Sequence, residues 1–417
     1  MRILFVHQNF PGQYVHIVRA LAHQGGHQLV GLKLVKPGET LPKLQGVQVL
    51  GYSPKRSSTP QMHPWGGDLE SKVIRGEACA EAVERLIGQG FIPELICGHA
   101  GWGECLFLKD LLPDVPLLTY QEFFYRARGF DLDFDPEFQP PLDWQACARS
   151  RMKTANPLLN LIACDWGVTP THFQHSSFPE RWRGKISVIH DGIDLARIAA
   201  QADVRELTLP DGTVLHAGDP TVTFVNRRLE PYRGCHTFLR AIPRILDSHP
   251  MARIVIVGDT KGVSYGSRPP QGDWKDVLLR EIEGAYDPTR VHFTGSVPYT
   301  SFLPLLRLSA VHVYLTYPFV LSWSLLEALA SGCAVVGSAT APVQEVIRDG
   351  LNGLLVDFFS PGDLAAAVTE LLAQPQRRVA LGRHAAEAAR VYGLDRCLPR
   401  QLALMEMVAS RSLGVAG

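Results

Sequence analysis

The chain has no excess of charge of either sign: 41 lysines and arginines face 41 aspartates and glutamates among 417 residues. Such a balance leaves no electrostatic footprint for nucleic acid and no solvated basic or acidic tail, so neither is expected. Metal-ligand spacings are missing too, because the eight cysteines, at 79, 97, 105, 147, 164, 235, 333 and 397, stand singly without a Cys-x-x-Cys pair. That argues against a zinc or disulfide framework and for reduced, mostly buried thiols. No apolar run is long enough for a signal peptide or a membrane span, and Met1 leads straight into an apolar strand, so a cytoplasmic protein is expected.

The length points to two or three domains, two being favoured, and the pattern is α/β throughout. Arg2 to His7 is the continuous apolar run of a buried parallel strand, followed by a turn at Asn9 to Gly12 and a helical pattern through Val15, Val18, Leu21 and Ala22. A second strand is expected over Gln28 to Leu34, then a loop-rich excursion from Lys36 to Gly67, then a helix from Ile74 to Ile87. The strand from Leu95 to Cys97 delivers His99 to a carboxyl edge among glycines, which gives it a better case for function than the other histidines. After the strand Leu117 to Tyr120 come Glu122 and three aromatics, Phe123, Phe124 and Tyr125.

Asp131, Asp133 and Asp135 alternate as metal-binding carboxylates can, but they lie in a Pro-interrupted loop, so solvated or loop-capping acids are the preferred reading. Leu142 to Leu159 reads as one helix whose Arg149, Arg151 and Lys153 form a basic face. Such a face can meet an anionic acceptor or lipid headgroups, or can simply be solvated. Leu161 to Ala163 and Ile186 to Ile189 read as strands, and His190 to Asp194 as a linker.

The second half repeats the alternation, with strands expected at Val222 to Val225, Ile254 to Val257, Val291 to Phe293, Val311 to Leu315, Ala334 to Val336 and Leu354 to Val356. Leu209 to Gly212 suggests a hairpin ahead of this sheet. Arg228 and Arg233 follow the first of these strands and precede a helix, where planar guanidinium groups suit a diphosphate. Phe319 to Leu329 turns from strand into helix within a few residues, with Ser322 or Ser324 as the N-cap and Gly332 as the stop. A helix start there favours phosphate. The competing reading of Ser324 to Glu327 is a capping box, in which Glu327 only satisfies a backbone amide.

On these residues the chain resembles the family-4 glycosyltransferases of the GT-B fold, in which two Rossmann-like, doubly wound domains face each other across a cleft. The resemblance implies an amino-terminal acceptor domain over 1–190, completed by a terminal helix at about 391–417, and a donor domain over 191–390. It makes Arg228 and Arg233, followed by Gly234, the diphosphate clamp; Ser322 and Trp323 the backbone donors to phosphate; and Gly295, Ser296 and Val297 the loop that reads the nucleobase. Of the family's two glutamates separated by seven residues, the second is Glu327, a ribose ligand, while the first, a donor-sugar ligand, is replaced by Phe319. Gly12 matches a glycine loop near the donor phosphates and His99 a histidine near the donor sugar.

The function so implied is retaining transfer of a hexosyl group from a nucleotide-diphosphate sugar, UDP or GDP, to a hydroxyl acceptor of a glycan, glycolipid or small molecule. Neither metal nor other cofactor is expected. His99, Arg228 and Arg233 carry the chemistry, and Glu122 and Tyr125 are the acceptor candidates. Contact with the inner face of a membrane stays open, as do nucleobase, acceptor and oligomeric state. Two rivals are a sugar-nucleotide epimerase using Glu104 and Glu122 as its acid/base pair, and a non-catalytic binding protein that has lost turnover with the first glutamate.

Overall fold

The computed structural model of the chain describes residues 1–139 and 141–411. The chain forms two compact units. The first gathers Met1–Arg128, Leu142–Gly192 and the tail from Leu394; the second gathers Ile193–Gly393 together with Gly129–Pro141.

The first unit is built on a seven-stranded parallel sheet: β1 (Arg2–Val6), β2 (Gln28–Leu34), β3 (Val47–Tyr52), β4 (Leu95–His99), β5 (Leu117–Tyr120), β6 (Trp166–Thr169) and β7 (Ile186–Val188), ordered β3-β2-β1-β4-β5-β6-β7. The apolar runs are continuous because both faces are covered. One face packs Ile3, Phe5, Val18 and Leu21 with Leu404, Met405 and Val408 of the helix Leu394–Arg411. The other packs Leu4, Val6 and Ile96 against Ala82, Val83 and Leu86 of the helix Gly67–Gly88. The last six residues of the expected terminal helix lie outside the described residues.

Three expectations for this unit need correction. The loop-rich region contains β3, an edge strand whose exposed Gln48 and Gly51 dilute its apolar signal. Leu161 to Ala163 is the end of a helix, Ala155–Ala163, and the strand lies just beyond it at β6. The single helix expected over Leu142 to Leu159 is two, Trp144–Lys153 and Ala155–Ala163, because Pro157 has no N–H to bond the carbonyl of Lys153. The expected linker His190 to Asp194 does hold the boundary between the two units, after Gly192, and its first residues are buried: Tyr120 donates to Asp191 at 3.1 Å and Gln401 to the His190 carbonyl at 2.7 Å.

In the second unit a short helix, Leu195–Ala199, precedes the expected hairpin, β8 (Glu206–Thr208) and β9 (Val214–His216). Its six-stranded parallel sheet consists of β10 (Thr221–Arg228), β11 (Arg253–Asp259), β12 (Val291–Gly295), β13 (Val311–Tyr314), β14 (Ala334–Ser338) and β15 (Leu354–Val356), ordered β12-β11-β10-β13-β14-β15. Both sheets reverse strand order once, between β1 and β4 and between β10 and β13. In open parallel sheets the crevice beyond the carboxyl ends at such a reversal is where ligands bind. His99 ends β4 and Arg228 ends β10.

The cysteines are all free, and every one but Cys147 is buried. Among the described residues, no helix is long and apolar enough to cross a membrane.

Candidate functional site

At the β10/β13 reversal, Arg228 is the last strand residue rather than part of the loop, and its guanidinium lies 3.8 Å from Asp259 while donating to the Val263 carbonyl at 3.4 Å. Arg233 closes the short turn Pro231–Arg233, and Nη1 donates to Thr316 Oγ1 and the Val320 carbonyl, both at 2.9 Å. Gly234 comes next with φ +68°, where a Cβ would stand 2.4 Å from the Leu315 side chain. Only glycine lets the following helix start this close to β13.

Sequence reasoning missed Glu230. It is buried between the two arginines in sequence, and its Oε2 accepts from the amides of Ser264 (2.5 Å) and Tyr265 (3.1 Å). Burial pushes this carboxyl above its ordinary range, against the pull of those amides. The loop after β11 is thereby fixed beside Arg228 and Arg233, with Tyr265 at 4.8 Å from the Phe319 ring and the Arg233 guanidinium 5.7 Å from Tyr265. Phe319 itself is buried and meets Tyr232 edge-on at 5.7 Å.

The alternating acids belong to this support. Asp131 and Asp135 are buried, contrary to the solvated reading, and accept from Tyr232 (2.9 Å) and Tyr317 (2.6 Å), whose rings stack at 4.4 Å. Asp133 caps the amide of Gly129. A buried carboxylate is tolerated when hydroxyl donors satisfy it, and such pairs fix the rings that brace Phe319.

Ser322 is the N-cap of the helix Trp323–Ala330, its Oγ accepting from the Ser324 amide at 3.3 Å. Ser324 therefore sits inside the helix, and the capping box with Glu327 does not form. The Ser322 amide donates to the Tyr314 hydroxyl at 2.9 Å, so one of the two amides expected at phosphate is already engaged. Glu327 is buried and accepts from the Tyr299 hydroxyl at 2.6 Å, beneath Arg197, which lies 4.4 Å over the Tyr299 ring. Burial raises the Glu327 carboxyl, and the Tyr299 bond opposes the rise. Ser296, Val297, Tyr299, Ser322 and Ser324 line one pocket of about 290 Å³ with Asn226 and Gly258. Gly295 precedes it at the end of β12.

At the β1/β4 reversal of the first unit, His99 is fully buried and stacked on Trp102 at 3.9 Å. Its Nδ1 accepts from the Gly101 amide at 3.0 Å. Burial, with His7 alongside, holds its pKa well below the ordinary value, so the ring is neutral with its proton on Nε2. That N–H has no hydrogen-bond partner among the described residues; Glu122 Oε2 lies 3.9 Å away, beyond bonding distance.

A second histidine, which the sequence did not single out, orders this corner. His7 Nδ1 accepts from the Asn9 amide at 2.9 Å, so Nε2 carries the proton and donates to Gln13 Oε1 at 2.6 Å; Gln13 in turn donates to Glu122 at 3.4 Å. Burial takes the His7 pKa down to about 4, which keeps the relay in one proton arrangement. Gly12 adjoins the same ring: with φ +47°, it leaves room where a Cβ would come within 2.3 Å of His7. Its glycine thus has a structural reason independent of any ligand. Glu122 and Tyr125 line a common pocket with Trp102, Lys72 and Lys153. Glu104 does not line it, being buried with its carboxylate on the Tyr52 hydroxyl at 2.6 Å. The acid/base pair an epimerase needs is therefore not assembled there.

Two family profiles match the chain, "Glycosyl transferase family 4 group" over residues 25–198 and "Glycosyl transferases group 1" over 211–388. Among curated proteins, a D-inositol 3-phosphate glycosyltransferase of Thermomonospora curvata is 29% identical over 231 residues, covering 52% of this chain and 50% of the relative. The chain thus spans about half the length of the curated relatives it matches. Among solved structures, a sucrose-phosphate synthase from Thermosynechococcus elongatus superimposes with TM-score 0.68 at 17% identity, with all of both chains covered. Anabaena HepE in complex with UDP gives 0.66 at 15% identity, covering 98% of this chain and 100% of that one. At such identity these two establish the fold alone.

Proposed function

We propose that this chain, which belongs to the family-4 glycosyltransferases, transfers a hexosyl group from a nucleotide-diphosphate sugar to a hydroxyl acceptor with retention of configuration. The observation that carries the reading is the convergence at one strand reversal of Arg228, Arg233 and a helix start capped by Ser322, beside a pocket that takes in Ser296, Val297 and Tyr299. Cations and a helix N-terminus favour the charge that builds on a departing β-phosphate. UDP or GDP is the nucleotide of choice, with the base along Gly295 to Val297, the ribose on Glu327 and the phosphates near Trp323.

The acceptor belongs to the first unit, where Glu122 and Tyr125 share a pocket and the Nε2–H of His99 is left to donate to a sugar hydroxyl. Phe319 cannot accept a bond from the donor sugar, and His99 is neutral and enclosed by rings. Neither suits a covalent double displacement. Attack from the leaving group's own face, with the departing phosphate taking the acceptor's proton, fits these residues. The reaction is assigned to the cytoplasm.

Incubation with UDP, GDP, ADP and TDP should raise the melting temperature for one nucleotide above the rest; at 100 times its dissociation constant a ligand adds about 2.7 kcal/mol. With the matching donor sugar, product NMR should show retained anomeric configuration. Donor turnover that needs no acceptor would favour the epimerase, and no donor consumption at all would favour the non-catalytic binder.

Glu327→Gln should weaken nucleotide binding by roughly 5- to 30-fold, an effect of about 1–2 kcal/mol, with little change in melting temperature. The amide still accepts from Tyr299, and no capping bond is lost. Unchanged affinity in this variant would remove Glu327 from the ribose site.

With Arg228 and Arg233 proposed as the phosphate ligands, turnover should survive EDTA. Asp131→Asn and Asp135→Asn should lower stability through the tyrosine bonds without creating a metal requirement. Inactivation by chelator, reversed by Mg²⁺ or Mn²⁺, would overturn metal independence.

A further inference from the structure

The helices Trp144–Lys153 and Ala155–Ala163 carry an outward stripe that neither active-site reading uses. Thr154, between them, keeps helical backbone angles, and the Leu158 amide still bonds its carbonyl, so the helical phase carries across the break. Trp144, Arg151, Leu159 and Ile162 are spaced by seven, eight and three residues, which places them along one face. Trp144 is 70% exposed, Leu159 49% and Ile162 64%. The inward face is taken by Asn156, Pro157, Asn160 and Leu161, so the exposed apolar groups are not a misplaced core. Arg149 and Arg151 are exposed, on opposite flanks of the outward side. At 1.5 Å per residue the stripe runs about 27 Å.

We propose that this stripe docks the protein on an anionic lipid surface, with Trp144, Leu159 and Ile162 entering the headgroup boundary and Arg149 and Arg151 meeting lipid phosphates. A largely exposed indole, which meets Trp65 edge-on at 5.6 Å, and two exposed branched aliphatics beside exposed guanidinium groups are what an interfacial helix presents. Nucleic acid is a poorer fit, since the aliphatics have nothing to contact on a phosphate backbone. A second copy of the chain is poorer as well, because a two-fold contact on this stripe would set its arginines against each other. The inference does not depend on the proposed glycosyl transfer, and its test reads binding alone.

The full chain should float with vesicles of phosphatidylglycerol and phosphatidylcholine at least about tenfold more than with phosphatidylcholine alone. The Leu159→Glu/Ile162→Glu variant should lose that binding. The Arg149→Glu/Arg151→Glu variant should bind about 30-fold more weakly, as should the wild type in 0.5 M salt. Circular dichroism and nucleotide-induced thermal shifts should match wild type in both variants, and Trp144→Ala offers a milder change should either fold poorly. Equal partition to neutral and anionic vesicles, or variants that float like wild type, would overturn the proposal. So would a concentration-dependent dimer, seen by light scattering, that the same substitutions dissolve.

Discussion

Replacing Arg233 with alanine should lower kcat/KM for a nucleotide-diphosphate donor by roughly 10- to 150-fold, as expected for a charge-assisted contact of about 1.5–3 kcal/mol. The variant should also melt earlier, because the same guanidinium holds Thr316 and the Val320 carbonyl across the β13 turn. Arg228→Ala separates the two effects. Among the described residues its guanidinium makes a 3.4 Å bond to Val263 and a 3.8 Å approach to Asp259, both weak, so donor affinity should fall while stability barely moves. Arg233→Lys keeps the charge but not the planar fork, and should recover binding in part and the turn geometry poorly. Nucleotide-diphosphate affinity that is unchanged in both alanine variants would end the phosphate assignment.

Gly12→Ala should damage both stability and turnover of the first unit. The left-handed backbone costs an alanine about 1–2 kcal/mol, and the overlap with His7 at 2.3 Å adds about 1–3 kcal/mol. For a unit of this size that corresponds to a fall in melting temperature of roughly 5–15 °C. Turnover should fall further than stability alone accounts for, because a displaced His7 releases Gln13 and with it Glu122. A Gly12→Ala/His7→Ala double variant removes the overlap and should regain part of the melting temperature while staying poorly active. Strictly additive losses in the double variant would show that the two positions are not coupled.

Much of the fold could be read from the residues, because buried parallel strands write themselves as apolar runs: β2, β5 and β15 have their expected bounds. The failures share a cause. β3 lies at a sheet edge and carries polar and glycine positions, so the run that marks a buried strand is broken. Leu161 to Ala163 is apolar and short, and periodicity over so few residues does not distinguish a strand from one side of a helix. At the site, local signals such as the Arg228/Arg233 spacing and the Ser322 cap could be found in sequence. Glu230 beside Tyr265, Gln13 beside Glu122, and Asp131 beside Tyr232 join positions far apart in the chain, and no motif announces such pairs.

The assignment of Gly129–Pro141 to the second unit bears on how the chain is made on the ribosome. These residues are synthesised before any strand of the sheet they serve, yet the Tyr232 and Tyr317 hydroxyls reach their buried acceptors only through Asp131 and Asp135. The first unit waits in the opposite sense, since Leu404, Met405 and Val408, which pack in the same core as Ile3 and Phe5 of β1, emerge after all of its strands. Neither unit can finish folding during elongation by simply following the order of synthesis. A fragment cut at residue 193 would inherit the same difficulty: the half carrying Arg228 and Arg233 would leave behind the acids that hold its tyrosines.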